Sequence, residues 1–425
     1  MRRTVPPSAE IQQQIDLLLA GGVPATDAEG ALTQLARLGA QLIIQRAVEE
    51  EFDAFLGRER YERRVDALPG KRNGWRPRHV QTTEGELEIE IPQLREAAET
   101  FTSKLFPRES KRMLRTEPLK ALVVGAFVRG LSMRDVESLC AEAGLGQVTA
   151  STASRICQEL RERYRAFRER DLSGIELVAL FLDAIYLPVR PTGAKEGVLC
   201  AWGIDADGKR VLVDVCLGQR ESEEDWLELG RGLTKRGLPA PLMVVADGAP
   251  GLNNAIEALW PSSDRQRCTV HRLRNLLAKV PGQHQDEVKR RYWRALDEAD
   301  SKQDGLRRLR ELVGWLSDRG LTSAAARLAD DLEALCVHLD YPLKHRRRWR
   351  STNLLERSLG EVRRRTKVIG RFPGESSCLS PCRAVLDLVI THSNNVTFTD
   401  LEQLQLQHIK RERAASRTTK EVIAA

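Results

Sequence analysis

Apolar side chains recur at helical spacing in the first part of this chain and at strand spacing after residue 173. Residues 27–58 carry them every three or four positions, which predicts a long amphipathic helix that could pack within the chain or against a second copy. Residues 58–78 are rich in Arg and Gly and show no clear period. Residues 79–93 alternate around Glu84 and Gly85, which predicts a short β-hairpin.

Residues 117–165 have the outline of a helix-turn-helix. Ser132 is placed to cap a first helix, a Gly-rich turn follows, and a second helix is expected to begin near Thr149. In a DNA-binding protein the second helix would offer Thr152 and Arg155 to a groove. Plain three-helix packing units have the same outline, so both interpretations stay open.

Short apolar runs in the following segment predict strands. LVALFLDAIYLPV (177–189) carries one charge, Asp183, and GVLCAWGIDADGKRVLVDVCLG (197–218) predicts two strands joined at Asp207-Gly208. A helix over 221–236, a buried strand ending at Asp247, a second helix and a strand in RQRCTVHR (265–272) follow. The order β-β-β-α-β-α-β indicates a mixed α/β sheet.

The last third of the chain is predicted to be largely helical. It comprises charged helices to residue 341, the helix in RSTNLLERSLGEVRRRTKV (350–368), an apolar helix over 379–392 and a polar tail without a fold signal. These changes of pattern predict six segments, which are a helical and hairpin domain (1–110), a helix-turn-helix-like DNA-binding domain (111–172), the first part of an α/β core (173–281), a helical insertion (282–345), the completion of the core (346–395) and a tail (396–425).

Composition narrows the class of protein. A chain of 425 residues with 41% hydrophobic residues can form two to four globular domains. No run approaches the roughly 20 apolar residues that span a membrane, and MRRTVPPSAEIQQQ lacks the apolar core of a signal peptide. Eight cysteines without regular spacing are typical of a reducing compartment. We therefore expect a cytoplasmic, nucleoid-associated protein with no membrane contact.

The net positive charge of the chain is small, but its basic residues are clustered. The net charge is only +7, but KHRRRWR (344–350) and RRRTK (363–367) concentrate it beside a Trp. Such clusters favour a polyanion such as DNA as partner, although a solvated charged helix face has the same composition.

Two aspartates lie inside or at the end of predicted strands, where Asp is an unfavourable residue. Asp183 is inside an apolar run, and Asp247 ends another. A buried, unpaired carboxylate costs several kcal/mol, so a compensating cation is expected. The alternatives without a catalytic role are a salt bridge to a core Arg for Asp183 and helix capping beside Gly248 for Asp247. Asp205 and Asp207 belong to the hairpin turn, where Asp is common for local reasons.

A third acid from a later helix would complete a site for divalent ions with hard oxygen ligands. Two such ions, about 4 Å apart, can activate a water or a 3′-hydroxyl and stabilise the leaving oxygen of a phosphodiester. Residues 350–368 contain two glutamates that could supply that carboxylate, Glu356 and Glu361.

Four stretches together resemble one family. With Asp183, the motifs ADGAPGL, QRCTVHRLRN and STNLLERSLGEVRRRTKVIGRFP, and the earlier YERRVDALPGKRNGWRPRHVQTTEGELEIEIPQLR, resemble the Mutator-type transposases of bacterial insertion sequences over residues 49–389. The resemblance implies a ribonuclease H-like α/β core with an all-helical insertion, preceded by a mainly helical DNA-binding region.

The resemblance also implies site residues. The catalytic, metal-binding acids of this DDE family fall on Asp183, Asp247 and Glu356, and its Arg-Asn pair falls on Arg274 and Asn275. Many members carry Asn three residues after the glutamate, where this chain has Leu, which puts a DNA contact or a supporting contact in doubt.

The Cys-x-x-His motif of the family falls on Cys268 and His271. Two ligands do not make a zinc site, and Cys378 and Cys382 would have to complete it. The favoured interpretation puts His271 beside the acids, contacting the scissile phosphate or orienting a ligand, with Cys268 packed behind it. A plain buried pair is the alternative.

Helical geometry separates Glu356 from Glu361. At about 100° per residue, Arg363 and Lys367 fall on the Glu356 face, which suits a metal ion followed by a DNA backbone. Glu361 points about 140° away and can pair with Arg365. The alternative is that Glu356 belongs to a capping box that begins at Asn353.

The sequence therefore predicts a transposase that uses two Mg²⁺ or Mn²⁺ ions. It would cleave double-stranded DNA at terminal inverted repeats, and the freed 3′-hydroxyl would then attack target DNA. By resemblance, it would act as a dimer or a larger assembly. A domesticated, non-catalytic DNA-binding protein and a structure-selective nuclease are the alternatives. The sequence of the ends, the target preference and the excision pathway cannot be predicted.

Overall fold

The computed structural model describes residues 5–21, 28–58, 70–97, 99–107, 113–145, 148–218 and 220–424. The chain forms two compact units, Met1–Gln158 and Glu159–Ala425. In chain order, the elements of the first unit are α1 (Pro7–Ala20), α2 (Ala28–Leu56), β1 (Lys71–Thr82), β2 (Gly85–Arg95), β3 (Leu114–Arg115), α3 (Glu117–Val128), α4 (Met133–Glu142) and α5 (Ala150–Ile156).

The first unit is built on a small sheet of order β2-β1-β3. Strands β1 and β2 pair antiparallel as predicted, but β1 starts at Lys71, well before the predicted start at residue 79. The long helix α2 is confirmed from Ala28, while Asp27 and residues 59–69 lie outside the described part. Helix α1 was not predicted. Side chains of α2 and the hairpin form one core, including Val48, Leu87 and Ile89.

Both helices of the helix-turn-helix outline are present with the predicted caps. The Ser132 hydroxyl accepts the backbone N–H of Asp135, and the Asp135 carboxylate accepts the N–H of Ser132, which closes a capping box on α4. Helix α5 is capped by Thr149, whose hydroxyl accepts the N–H of Thr152. Each cap satisfies N–H groups that the first helical turn leaves unpaired.

The second unit combines a five-stranded sheet with twelve described α-helices. In chain order, its elements are α6 (Glu159–Glu169), β4 (Leu177–Leu187), β5 (Glu196–Asp205), β6 (Arg210–Gly218), α7 (Glu223–Lys235), β7 (Met243–Ala246), α8 (Pro250–Leu259), β8 (Asp264–Arg267), α9 (Thr269–Leu277), α10 (Gly282–Asp297), α11 (Lys302–Asp318), α12 (Thr322–Ala329), α13 (Leu332–Cys336), α14 (Leu343–Trp349), α15 (Asn353–Thr366), α16 (Glu375–Thr391) and α17 (Asp400–Ala424).

The sheet has the order β6-β5-β4-β7-β8. Strands β4, β5 and β6 form an antiparallel meander, while β7 and β8 run parallel to β4. The mixed α/β sheet predicted from the sequence is thus confirmed. Its strands are apolar because helices cover the sheet, and Trp226 of α7 and Ile256 of α8 pack on Leu180 in one core.

The helices after β8 have a hydrophobic core of their own. It joins apolar side chains of α9 to α13, with Tyr292, Leu309 and Leu335 fully buried. The prediction of a charged, helical stretch after residue 272 is confirmed by these helices.

Two local predictions were wrong. The predicted strand in RQRCTVHR ends at Arg267, and α9 begins at Thr269 because the Thr269 N–H and hydroxyl both bind the carbonyl of Arg350 instead of a strand. The tail predicted to lack a fold forms α17 over Asp400–Ala424. Leu406 and Ile409 of this helix are buried by tertiary packing, whereas Leu401 and Leu404 are exposed, and local periodicity does not reveal such a packing surface.

Candidate active site

The sheet aligns three candidate residues in one row. Phe181 pairs with Val245 across β4 and β7, so two residues further on Asp183 lies level with Asp247, just past the end of β7. Ala246 pairs with Arg267, so Cys268 continues the row beyond β8, and its N–H binds the carbonyl of Ala246. Asp247 and Cys268 thus lie just past the carboxyl ends of two parallel strands, where α/β sheets bind ligands, and Asp183 lies beside them within β4.

Helix α15 brings Glu356 to the same edge. The helix packs against β4, and Glu356 lies in its first turn. The Glu356 carboxylate is 3.2 Å from Nε2 of His271 and forms a two-bond ion pair with Arg274, with N–O distances of 3.0 and 3.3 Å. The structure thus joins Glu356 to the Cys-x-x-His helix, α9.

The capping-box alternative for Glu356 is wrong. Helix α15 begins at Asn353, and the residue before it, Thr352, occupies the N-cap without a side-chain cap bond. The Glu356 carboxylate turns toward α9 instead of back to the chain at Asn353. Glu361 pairs with Arg365 at 3.2 Å and with Arg364 at 2.7 Å, so the predicted pairing of the second glutamate is confirmed.

Asp183 and Asp214 show two ways to place a carboxylate in a strand. Asp214, on β6, is 1% exposed and binds Arg168 and Arg236 at 2.7 and 2.6 Å. Asp183 has no Arg or Lys partner among the described residues, and its side chain accepts only the N–H of Ala184, at 2.9 Å. The salt-bridge alternative therefore describes Asp214 and not Asp183.

The carboxyl group of Asp183 has a raised pKa. Burial raises its pKa to about 7, the Ala184 N–H and the charge of His271 oppose the rise, and the charges of Glu356 and Asp247 add to it. The influence of these charges on Asp183 indicates that the groups lie near one another. A cation there would offset the negative charge that burial disfavours.

Asp247 sits in a tight turn rather than at a helix cap. Helix α8 has Ala249 at its N-cap, and the Asp247 carboxylate accepts the Ala249 N–H at 2.9 Å. Gly248 has φ +85°, and a Cβ there would lie 2.3 Å from Nε of Arg267. The glycine thus lets the chain turn directly behind Asp247.

His271 and Cys268 form a polar pair behind Glu356. Their hydrogen bond, assisted by the negative charges around it, raises the pKa of His271 to about 9 although burial opposes this. Burial alone would raise the pKa of the Cys268 thiol, but the hydrogen bond and charge of His271 lower it. The Cys268 sulfur also accepts the N–H and hydroxyl of Thr352, each at 3.4 Å.

Two overlapping ligand sets could hold a metal ion. Asp183, Asp247 and Glu356 offer carboxylate oxygens, the ligands that Mg²⁺ and Mn²⁺ prefer. Ligand atoms of Cys268, His271 and Glu356 lie within 4.8 Å of one another, a sulfur, nitrogen and oxygen set that suits zinc better. Cys378 and Cys382 are buried on α16 and do not belong to that group.

The predicted DNA-contact residues differ in exposure. Asn275, Arg363 and Lys367 are exposed, as is Arg274, although Arg274 is paired with Glu356. Lys367 follows α15 in a 3₁₀ turn, so it does not continue the helix face as expected. Leu359, at the position where relatives often have Asn, is buried and packs inward.

In the first unit, only one of the two predicted recognition residues is exposed. Arg155 is exposed, whereas Thr152 is 5% exposed and its hydroxyl accepts a bond from Arg155 at 3.0 Å.

Glu221 is a site neighbour that the sequence did not reveal. It has φ +56°, and its carboxylate accepts the hydroxyl of Tyr186 at 3.1 Å. Burial raises its pKa, the charge of Asp247 adds to the rise and the charge of His271 opposes it. Its place in the acidic run ESEED gives no local signal that would distinguish it from its neighbours.

An α/β sheet that brings carboxylates side by side is suited to the metal-dependent chemistry of nucleic-acid-processing enzymes, and comparison with known proteins identifies the family. The family model described as "Transposase, Mutator family" matches residues 23–394. This chain belongs to the Mutator family of transposases. No helix in the described residues is both long enough and apolar enough to cross a membrane.

The chain is similar in sequence to several named transposases over most of its length and of theirs. The transposase for insertion sequence element ISRM5 of Rhizobium meliloti is 34% identical over 83% of this chain and 86% of its own. The transposase for element IS1081 of Mycobacterium tuberculosis is 32% identical over 87% of both chains. The transposase for element IS256 in transposon Tn4001 of Staphylococcus aureus is 28% identical over 81% and 87%.

Proposed function

We propose that this chain is a DDE transposase that cleaves DNA at transposon ends and transfers the freed 3′-hydroxyl into target DNA. The observation that carries the proposal is the buried carboxylate of Asp183, which lies level with Asp247, feels the charge of Glu356 and lacks the arginine partners that Asp214 has. Such an arrangement is suited to a cation.

The proposed core is ribonuclease H-like. Its support is the strand order β6-β5-β4-β7-β8, in which an antiparallel meander is followed by two parallel strands. The six segments predicted from the sequence are retained as proposed domains, with residues 282–345 inserted before the helix of Glu356.

The proposed metal ligands are Asp183, Asp247 and Glu356. Their oxygen donors fit Mg²⁺ or Mn²⁺, and two bound ions would activate the attacking hydroxyl and stabilise the leaving oxygen of the phosphodiester. The charge that burial disfavours at Asp183 would then be balanced.

The cations around Glu356 have a positioning role in this proposal. Arg274 and His271 orient its carboxylate through the contacts already described. With a pKa of about 9, His271 is protonated at neutral pH, and its positive charge would attract a phosphate group of the DNA. Cys268 supports His271 from behind, where its sulfur is fully buried.

The proposed partner is double-stranded DNA, as terminal inverted repeats and as target. Exposed Asn275, Arg363 and Lys367 would contact its backbone near the acids, together with Arg274, and Arg155 with Thr152 would serve recognition in the first unit. Joining two ends requires at least a dimer, which is part of the proposal.

The two glutamates of α15 provide a matched test. Glu356→Gln should lower cleavage of end DNA by orders of magnitude, because it removes a charge that a metal ligand needs, while folding persists. Glu361→Gln weakens the pairs with the exposed Arg364 and the half-buried Arg365, each worth a few tenths of a kcal/mol, and should cut normally. Cleavage of labelled end DNA is measured, with melting temperature as the folding control.

The outcomes separate the alternatives. Near-normal cleavage by folded Glu356→Gln would refute the metal role of Glu356. Cleavage without joined products in the wild type would indicate a nuclease, and specific binding without any cleavage would indicate a non-catalytic DNA-binding protein.

A further inference from the structure

A groove of about 1060 Å³ lies between α6 and α16, over the beginning of β6. Its α6 wall consists of residues 163, 166, 167 and 170, which share one helix face, and residues 383, 387 and 390 form the α16 wall in the same way. The turn between β5 and β6 closes one side. None of the candidate site residues lines it.

The groove is strongly positive. Two acidic side chains, Asp205 and Asp387, line it, against five basic ones, which gives a net charge of +3. Asp205 is occupied by the N–H groups of Asp207 and Lys209. Asp387 pairs with Arg383 at 3.3 Å. The basic side chains are Arg163, Arg170, Lys209, Arg210 and Arg383.

The arginines crowd one another. The guanidinium groups of Arg170 and Arg383 both lie over the ring of Phe167, at 3.9 and 5.1 Å from its centre. Burial and the charges of Arg236 and Arg383 together lower the pKa of Arg170 to about 10, although the charge of Asp214 opposes them. The buried Nε atoms of Arg210 and Arg383 have no hydrogen-bond partner among the described residues. An anion in the groove would relieve the repulsion among these side chains and could pair with the exposed Arg163 and Lys209.

We propose that this groove binds the phosphate backbone of double-stranded DNA at a surface separate from the acids. Duplex DNA carries a negative charge every ~1.7 Å, so a segment of backbone matches a row of cations. The proposal rests on the proposed function only for the identity of the polyanion.

The register of the sheet sets the distance between the two surfaces. Asp205, at the groove, pairs with Leu177 on β4, six residues before Asp183. At about 3.3 Å per residue, the groove lies about 20 Å from the acids, toward the opposite end of the strand. A DNA segment in the groove is therefore distinct from the phosphodiester at the acids.

The test removes the two exposed cations of the groove in the full-length protein. Arg163→Gln combined with Lys209→Gln leaves the half-buried Arg170, Arg210 and Arg383 in place, so folding should be kept. The control, Lys235→Gln with Lys289→Gln, removes two exposed charges of the same unit outside the groove. Affinity for a long duplex is measured over a range of salt concentrations.

The groove variant should bind several-fold more weakly, and the slope of log affinity against log salt should become shallower by about 0.9 for each lost phosphate contact, or about 2 in all. The control should keep the wild-type slope. Equal slopes for wild type and groove variant would overturn the proposal. A variant that loses affinity for heparin but not for duplex DNA would assign the groove to another polyanion and would also overturn it.

A cleavage assay distinguishes the proposal that the groove binds DNA from the proposed transposase function. At saturating end DNA, the groove variant should cut at the wild-type rate, because the acids are unchanged. A wild-type protein whose salt slope depends on the groove but which never cuts DNA would sustain the groove and refute the transposase chemistry. A wild-type protein that binds no DNA would refute both.

Discussion

At the scale of single residues, Cys268 joins two segments that are more than eighty positions apart. Its sulfur accepts both the N–H and the hydroxyl of Thr352, the residue that precedes α15, and also bonds to His271. The placement of Glu356 beside His271 therefore depends on a side chain that need not touch DNA. The Cys268–His271 pair therefore has a structural role whether or not it also holds a metal ion with Glu356.

Asp183→Asn should change how stability depends on pH in EDTA. The native pKa of about 7 exceeds the ordinary value of 3.8, so the native state binds more protons and loses stability as pH rises across that interval. Asn carries no charge and removes this loss. The variant should melt at a higher temperature than wild type at about pH 8, with a smaller gain at about pH 5.

The control for that experiment is Asp207→Asn, at an exposed turn position, which should show no such trend. An equal gain for Asp183→Asn at both pH values would mean that the carboxyl of Asp183 is not held in its protonated form by burial.

Sequence could identify some of these residues and not others. Asp183 stood out because an acid interrupts an apolar strand, and the pairing of Glu361 with Arg365 followed from helix geometry alone. The contact between His271 and Glu356 joins segments with no shared local pattern and came from family resemblance. Glu221 could not be predicted, because its position depends on a left-handed turn and on Tyr186 from another strand.

At the scale of elements, the turn after β7 is the most constrained connection near the site. Gly248→Ala should destabilise the protein by about 1–3 kcal/mol, because φ is +85° and the new Cβ would meet the guanidinium of Arg267. Gly232→Ala, inside α7 with free space around it, should instead stabilise by about 0.4–1 kcal/mol. Denaturant unfolding measures both.

Opposite signs for the two glycines would confirm the geometry of that turn. A Gly248→Ala protein as stable as wild type would show that the turn behind Asp247 can relax, and the position of the carboxylate would then be less fixed than described.

Elements with strong local signals were predictable, and those made by tertiary contact were not. The hairpin at Asp207-Gly208 follows from turn chemistry, and the apolar strands follow from composition. Helix α17 was missed because only scattered apolar residues mark it, while its position is held by ion pairs such as Arg413 with Asp264 and Lys410 with Glu176. The predicted strand at residues 265–272 was cut short by the Arg350 carbonyl.

At the scale of the whole molecule, metal removal tests the proposed chemistry. EDTA should abolish cleavage of end DNA, and Mg²⁺ or Mn²⁺ should restore it. Ca²⁺ should support DNA binding but not cutting, because it accepts looser coordination than an in-line displacement needs. Cleavage and gel-shift assays on the same DNA measure the two effects. Undiminished cleavage in EDTA would rule out the two-ion mechanism.

The long separation of Asp247 from Glu356 also has a consequence during protein synthesis. At about 5–20 residues per second, a ribosome needs roughly 5–20 seconds to add the residues between them. Meanwhile the unit Met1–Gln158 has already emerged, and the helices with their own core can fold first. A nascent chain would thus gain its predicted DNA-binding unit well before its third acid, and could engage the gene that encodes it before becoming able to cut.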